Sequence, residues 1–425
     1  MDDTLQHASK FFGGISTTKP LRNNLWSSDD VAYANHITRH YNEYQKRQKQ
    51  PRQQLSLKIP KIIHFIWLGP NSISNYPNLI SSNSNNDNDT DDARRRNHLH
   101  QRGWNGTMKS WCEHHRQEDD WTVQLWNETK INELHQQTSA AATAKNRSAH
   151  EEIMIDHLSN LRKAYDNALK ICNYGMASDI ARLDILYHHG GVYVDVDYYC
   201  IDSVYDLHYS GVKFYCGASN TQCVEMNNGL MGCMDHHPLV KNMIVSISNW
   251  YCSTTQQRKL IDDASCYNRK GANLKDISFM SFLDESTLSS FREAATDSSS
   301  ISSSSPKQQY QPMEVIRHTG PGLLTRTIFD YFQSLKNNDQ HLKNCNQTHD
   351  DEYNMLILPT TVFHPFPNSE RLKCCEKDDS VVVDQKQPYH YQTTTKPRYQ
   401  YLKIVKDYSV PGTTKAVHLW GCSWQ

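Results

Sequence analysis

No run of about 18 apolar residues occurs anywhere in the chain, which excludes a transmembrane helix. The N-terminus, Met1-Asp2-Asp3-Thr4, lacks the basic-then-apolar pattern of a signal peptide. An excess of charge of one sign is also missing. The 45 Lys and Arg stand against 46 Asp and Glu, a net charge of −1, which points away from a nucleic-acid surface and from a polybasic membrane patch. The 12 cysteines form no CxxC pair and no Cys/His zinc spacing, and adjacent Cys374 and Cys375 are badly placed to bridge each other. Their even number permits disulfides without demanding them. Apolar residues are few, at 37%, and the mean hydropathy is −0.75, so the polar surplus belongs in inserts and tails around a core that 425 residues can still build. Sequons at Asn88, Asn105, Asn127, Asn146 and Asn346 are about what a chain this rich in Asn, Ser and Thr yields by chance.

Against this background one stretch stands out, from Ala177 to Asp197. Apolar residues at Ile180, Leu183 and Tyr187 make a helical stripe, Ser178 is placed as an N-cap, and Gly190-Gly191 supplies a left-handed stop. The period then changes to two. Val192, Val194 and Val196 face one side of a predicted strand and Tyr193, Asp195 and Asp197 the other, so both carboxylates enter one space. Mn²⁺ or Mg²⁺ takes one or two carboxylates plus phosphate oxygens, so a nucleotide diphosphate would complete the shell. Asp179 and Arg182, one helical turn apart, are candidates for sugar hydroxyls and phosphate. As an i,i+3 surface pair they would be worth only a few tenths of a kcal/mol, roughly. The spacing alone is weak: Asp87, Asn88, Asp89, Thr90 and Asp91 repeat it in a polar run with no apolar strand before it. At the end of a Val-rich strand, by contrast, an unpaired buried charge would cost several kcal/mol, roughly.

The rest of the chain alternates strand and helix, which predicts an α/β fold. Predicted strands lie at Ile59 to Trp67 and Trp121 to Trp126, and short strands and turns near the site at Lys213 to Gly217 and Asn227 to Gly232. Helices are expected around Met154 to Cys172, ending at Asn173-Tyr174-Gly175, from Pro238 to Trp250, and through Phe329 from an opening at Arg317 to Gly322. A helical stripe at Val31, Ala34, Ile37, Tyr41 and Tyr44 lies in a polar N-terminal extension, read as a stalk or accessory helix. The expected organisation is this extension at 1–57 and a single catalytic domain at 58–425, with low-complexity inserts near 81–97, 298–311 and 374–398. The last stretch, Ala416 to Trp424, is too apolar for a frayed tail and is expected to return to the core or the site.

These blocks, in this order, resemble the glycosyltransferase family with a sugar-binding region containing a DxD motif. That family includes initiating α-1,6-mannosyltransferases and α-1,4-galactosyl- and N-acetylglucosaminyltransferases. The resemblance rests on Ile59 to Trp67, Ser110-Trp111, Leu125-Trp126, Ser178-Asp179 with Arg182, and Gly190 to Asp197. It continues through Thr319-Gly320-Pro321, Phe363-His364-Pro365 and His418-Leu419-Trp420 with Ser423-Trp424, and covers about residues 58 to 424. It implies a Rossmann-like A-type glycosyltransferase fold and retaining transfer of a hexose or N-acetylhexosamine from a UDP- or GDP-sugar to a glycan or glycolipid hydroxyl. Trp67 would sit near the base, and Asp179 and Arg182 would hold the donor sugar. Tyr193 and Asp195 would face ribose and metal, and Asp197 would ligate Mn²⁺ or Mg²⁺, with His418 as third ligand. His418, Ser423 and Trp424 would close over the diphosphate. The family usually works in the Golgi or a related lumen. Membrane association stays open, with no anchor encoded. The departures are Ala177 and Ala181 beside the Asp/Arg pair, the long inserts and the missing anchor.

Two rival readings are weaker. A haloacid-dehalogenase-type phosphohydrolase also places Asp-x-Asp at a strand end, but expects it early in the chain and before a Gly-Thr turn, where this chain has Tyr198-Tyr199-Cys200. A noncatalytic sugar- or nucleotide-binding protein of the same fold has no need to keep Asp179, Arg182, Asp195 and Asp197 together.

Overall fold

A computed structural model describes residues 9–13, 28–48, 57–69, 104–116, 119–141, 148–221, 223–257, 312–342, 355–370 and 398–420. Its strands are β1 (Ile62–Ile66), β2 (Thr122–Trp126), β3 (Gly191–Val194), β4 (Tyr198–Cys200), β5 (Phe214–Ala218), β6 (Met226–Cys233), β7 (Met355–Leu358) and β8 (Ala416–His418). The helices are α1 (Ser28–Gln48), α2 (Trp104–His114), α3 (Glu128–Ala141), α4 (Ala149–Lys170), α5 (Tyr174–His189), α6 (Tyr205–His208), α7 (Pro238–Gln257), α8 (Pro312–His318), α9 (Pro321–Leu342), α10 (Thr360–Phe363) and α11 (Arg398–Tyr408).

Six strands form one sheet in the order β2-β1-β3-β6-β5-β7. All pairings are parallel except those made by β6, which runs antiparallel to both β3 and β5. This is the α/β fold expected from the alternating elements, and its mostly parallel sheet agrees with the Rossmann-like architecture that the resemblance implies. Strand periodicity divides the core in two. Ile63, Phe65, Val192, Val194 and Leu230 face a cluster with Met108 and Trp111 of α2. Ile66, Tyr193, Met231 and Cys233 face the other, filled from α1, α3, α4, α5, α7 and α9. The N-terminal helix α1 packs here: the Tyr33 ring stacks on Phe329 at 3.8 Å, and Ala34 and Ile37 are fully buried.

Three boundaries differ from the sequence reading. Helix α5 begins at Tyr174, because Asn173 is the cap and its side chain accepts from Met176 N at 3.0 Å; Ser178 is inside the helix, not at its N-cap. Strand β1 starts at Ile62, after Pro60, and lies between β2 and β3. Strand β3 stops at Val194, and a turn through Val196 and Asp197 leads into β4. The glycine stop holds: Gly190 and Gly191 have φ of 60° and 88°, and a Cβ on Gly191 would lie 2.5 Å from Ile62 O. Among the described residues no helix is long and apolar enough to cross a membrane. The three predicted inserts lie outside the described residues, apart from Arg398, which begins α11.

Candidate active site

The site forms where β3 ends. The amide of Asp195 donates to Gly229 O of β6 at 2.7 Å, and Tyr198 N donates back to Asp195 O at 3.2 Å, so the turn presents Asp195 and Asp197 together although the strand has ended. Helix α2 holds this turn from behind. Thr107 Oγ1 donates to Val196 O at 2.5 Å, Trp111 Nε1 donates to Tyr198 O at 3.0 Å, and Ser110 Oγ accepts from Cys200 N at 2.8 Å. The Ser110-Trp111 block thus satisfies buried backbone groups that the turn exposes.

On the opposite side α5 delivers Asp179 and Arg182. The guanidinium lies 2.9 Å from Asp179 Oδ1 and 3.3 Å from Asp195 Oδ1, donates to Asn228 O at 2.7 Å, and covers the Tyr193 ring at 4.4 Å. Tyr193 Oη donates to Asp195 Oδ1 at 2.5 Å. Asn228 Nδ2 and Thr319 Oγ1 donate to the two oxygens of Asp179 at 2.9 and 3.2 Å. One cation is therefore shared among buried carboxylates. Burial raises the pKa of Asp179 despite Arg182, Asn228 and Thr319. Burial, with the charge of Asp197 added, pushes Asp195 up to about 6 against Arg182 and Tyr193. Burial works against the Arg182 cation too, but Asp195, Tyr193 and Asp179 outweigh it and raise its pKa.

His418 arrives from the far end of the chain. β8 pairs antiparallel with β4, Leu419 N donates to Asp197 O at 3.0 Å, and His418 Nε2 lies 3.3 Å from Asp197 Oδ2. Ligand atoms of Asp195, Asp197 and His418 all lie within 4.8 Å of one another. Two carboxylates and an imidazole suit a divalent ion, and the bare backbone of Gly229 leaves room for the Asp195 carboxylate, since a Cβ there would sit 2.6 Å from Asp195 Oδ2.

Trp67 lines a cleft together with Tyr174, Ser178, Tyr193 and Asp195, so the residue expected near a base shares a cleft with one of the carboxylates, Asp195. The structure therefore brings together Trp67, Asp179, Arg182, Tyr193, Asp195, Asp197 and His418. Ser423 and Trp424 lie outside the described residues. Sequence reasoning placed Asn227, Asn228 and Gly229 near the site and gave them no role. The signal was present, because Asn-Asn-Gly is a poor strand sequence unless side chains and a bare backbone are needed there.

The arrangement gathers an Asp-x-Asp pair, a histidine and an Asp/Arg pair in one place. Residues 101–212 match the family described as "Glycosyltransferase sugar-binding region containing DXD motif", a span that includes Asp179, Arg182, Asp195 and Asp197. No curated protein matches the chain. Among solved structures, "PaToxG Glycosyltransferase" is 12% identical, with 77% of this chain and 94% of that chain covered at a TM-score of 0.33. The UDP-bound glycosyltransferase domain from the YGT toxin is 11% identical, with 83% and 94% covered at 0.35. The catalytic domain of alpha-toxin from Clostridium novyi is 12% identical, with 71% and 78% covered at 0.31. Likeness at this level adds nothing to what the sheet and the site already say.

Proposed function

We propose that the chain is a metal-dependent, retaining glycosyltransferase that moves a hexose or N-acetylhexosamine from a UDP- or GDP-sugar to a glycan or glycolipid hydroxyl. The observation that carries this reading is the charge balance of one pocket. Asp179 and Asp195 share a single guanidinium, Arg182, Asp197 adds a third carboxylate beside Asp195 and His418, and burial alone would disfavour so much negative charge. A divalent cation held by Asp195, Asp197 and His418 would restore the balance. When bound, it supplies Lewis-acid stabilisation of the diphosphate leaving group.

The protein's own groups do the rest. Trp67 offers an aromatic wall for the base. Asp179 is fixed by Arg182, Asn228 and Thr319 and accepts hydrogen bonds from sugar hydroxyls. Arg182 stays charged and stabilises the departing phosphate oxygens. Ser423 and Trp424 are assigned to closing over the diphosphate. Manganese is the favoured ion because an imidazole joins the carboxylates. Within the family resemblance, mannosyl and galactosyl transfer are the leading specificities, and the Golgi or another endomembrane lumen is the implied location. The domain proposal is a catalytic unit over 58–425 with the N-terminal extension as an accessory element.

The test is nucleotide release from a panel of UDP- and GDP-sugars with Mn²⁺, for the wild-type chain and Asp197→Asn. Release from one donor that EDTA abolishes, and that falls at least about 10²-fold in Asp197→Asn, is expected. Equal release by the variant, or insensitivity to EDTA, would overturn the proposal.

A further inference from the structure

Tyr198 follows Asp197 directly and is fully buried. It is the cross-strand partner of His418 in the β4–β8 ladder, and the two rings lie parallel, 4.3 Å between centroids and 5° between planes. Trp420 lies beside the same imidazole at 4.2 Å. The tilt of the His418 ring is therefore set by its neighbours and not by the backbone alone.

The Tyr198 hydroxyl is itself locked. Asn227 Oδ1 accepts from Gly229 N at 2.7 Å, which identifies that atom as the amide oxygen, and Tyr198 Oη donates to it at 3.0 Å. The phenol oxygen also lies 2.6 Å from His364 Nε2, so the hydroxyl is held between an amide oxygen and an imidazole. The result is a dry chain from Asn227 and His364, through Tyr198, to His418.

We infer that Tyr198, locked by Asn227 and His364, is a positioning residue that holds the His418 imidazole in the plane from which it completes the cation site of Asp195 and Asp197. The inference rests on the metal reading above. Partners that orient a metal-binding histidine govern affinity even though they never touch the ion. It also gives the Phe363-His364-Pro365 block a role: it delivers the imidazole that fixes Tyr198.

The experiment titrates Mn²⁺ into the full chain and counts the free ion by electron paramagnetic resonance. Wild type is expected to bind and Asp197→Asn to lose binding. Tyr198→Leu, which removes the stacked ring, is expected to weaken it about 10- to 100-fold. Tyr198→Phe keeps the ring, loses the lock, and should fall between Leu and wild type. Wild-type affinity in a folded Tyr198→Leu, beside a loss in Asp197→Asn, would overturn the inference while leaving the metal reading intact. No binding by wild type would overturn both. If Tyr198→Leu does not fold, imidazole nitrogen shifts decide in its place. Tyr198→Phe should move the His418 signals relative to wild type; unmoved His418 signals would overturn the inference.

Discussion

Asp179 and Asp184 lie on one helix, both largely out of water, and the protein treats them in opposite ways. Around Asp184 the neighbours are abundant: His135 Nε2 is 3.1 Å from one oxygen, His188 Nε2 is 3.2 Å from the other, and Arg162 Nε is 3.8 Å away. Burial raises the Asp184 pKa, but His135 and His188 outweigh it and hold the carboxyl below the usual range. Asp179 shares its one guanidinium with Asp195, and burial wins, so its pKa rises. The first carboxylate ties α3, α4 and α5 together. The second shares its arginine with another carboxylate, Asp195, beside the candidate cation site. Depth alone does not mark a functional acid; the balance of partners does.

The comparison breaks most visibly on substitution. Asp184→Ala leaves imidazoles and a guanidinium facing an empty space and should cost about 3–5 kcal/mol, read as a lowered denaturant midpoint. Asp179→Asn should keep that midpoint near wild type, since Arg182 retains Asp195, while nucleotide release falls about 10²- to 10³-fold. The reverse pattern would show that the two roles have been exchanged.

Two glycines of β6 sharpen the same distinction. A Cβ on Gly232 would meet the Tyr215 ring at 2.2 Å, so Gly232→Ala should lower stability by about 1–3 kcal/mol. On Gly229 it would meet Asp195 Oδ2 at 2.6 Å, so Gly229→Ala should weaken Mn²⁺ binding more than it lowers the midpoint. The smallest effect is one of pH. A depressed folded-state pKa at Asp184 contributes stability that is present above the unfolded value of about 3.9 and is lost as pH falls through the lower folded value. Acid titration of stability should therefore be shallower in Asp184→Asn than in wild type below about pH 4. Identical slopes would remove Asp184 from the account of acid stability.

Much of the site was legible because its chemistry is local in sequence. Asp179 with Arg182 sits one helical turn apart, and Asp195 with Asp197 follows a valine strand that two glycines introduce. The strand end was misjudged because Val196 fits the period-two pattern, whereas the hydrogen bond from Tyr198 N to Asp195 O turns the chain there. Asn228 could be placed near the site but its role could not be read, because that role lies in contacts to a helix 46 positions earlier for Arg182 and 49 for Asp179. The cap at Asn173 was taken as the end of one helix when it begins the next, as a polar residue between two helical stripes allows either reading. Helix α1 read as polar because only one stripe of it, Tyr33, Ala34 and Ile37, is buried.

The most direct measurement is anomalous diffraction from crystals of the full chain soaked with Mn²⁺ and a nucleoside diphosphate. The account expects a single strong peak at coordinating distance from Asp195, Asp197 and His418, with the diphosphate completing the shell. A diphosphate bound in the cleft with no peak between those three side chains, or with the ion held elsewhere, would contradict it.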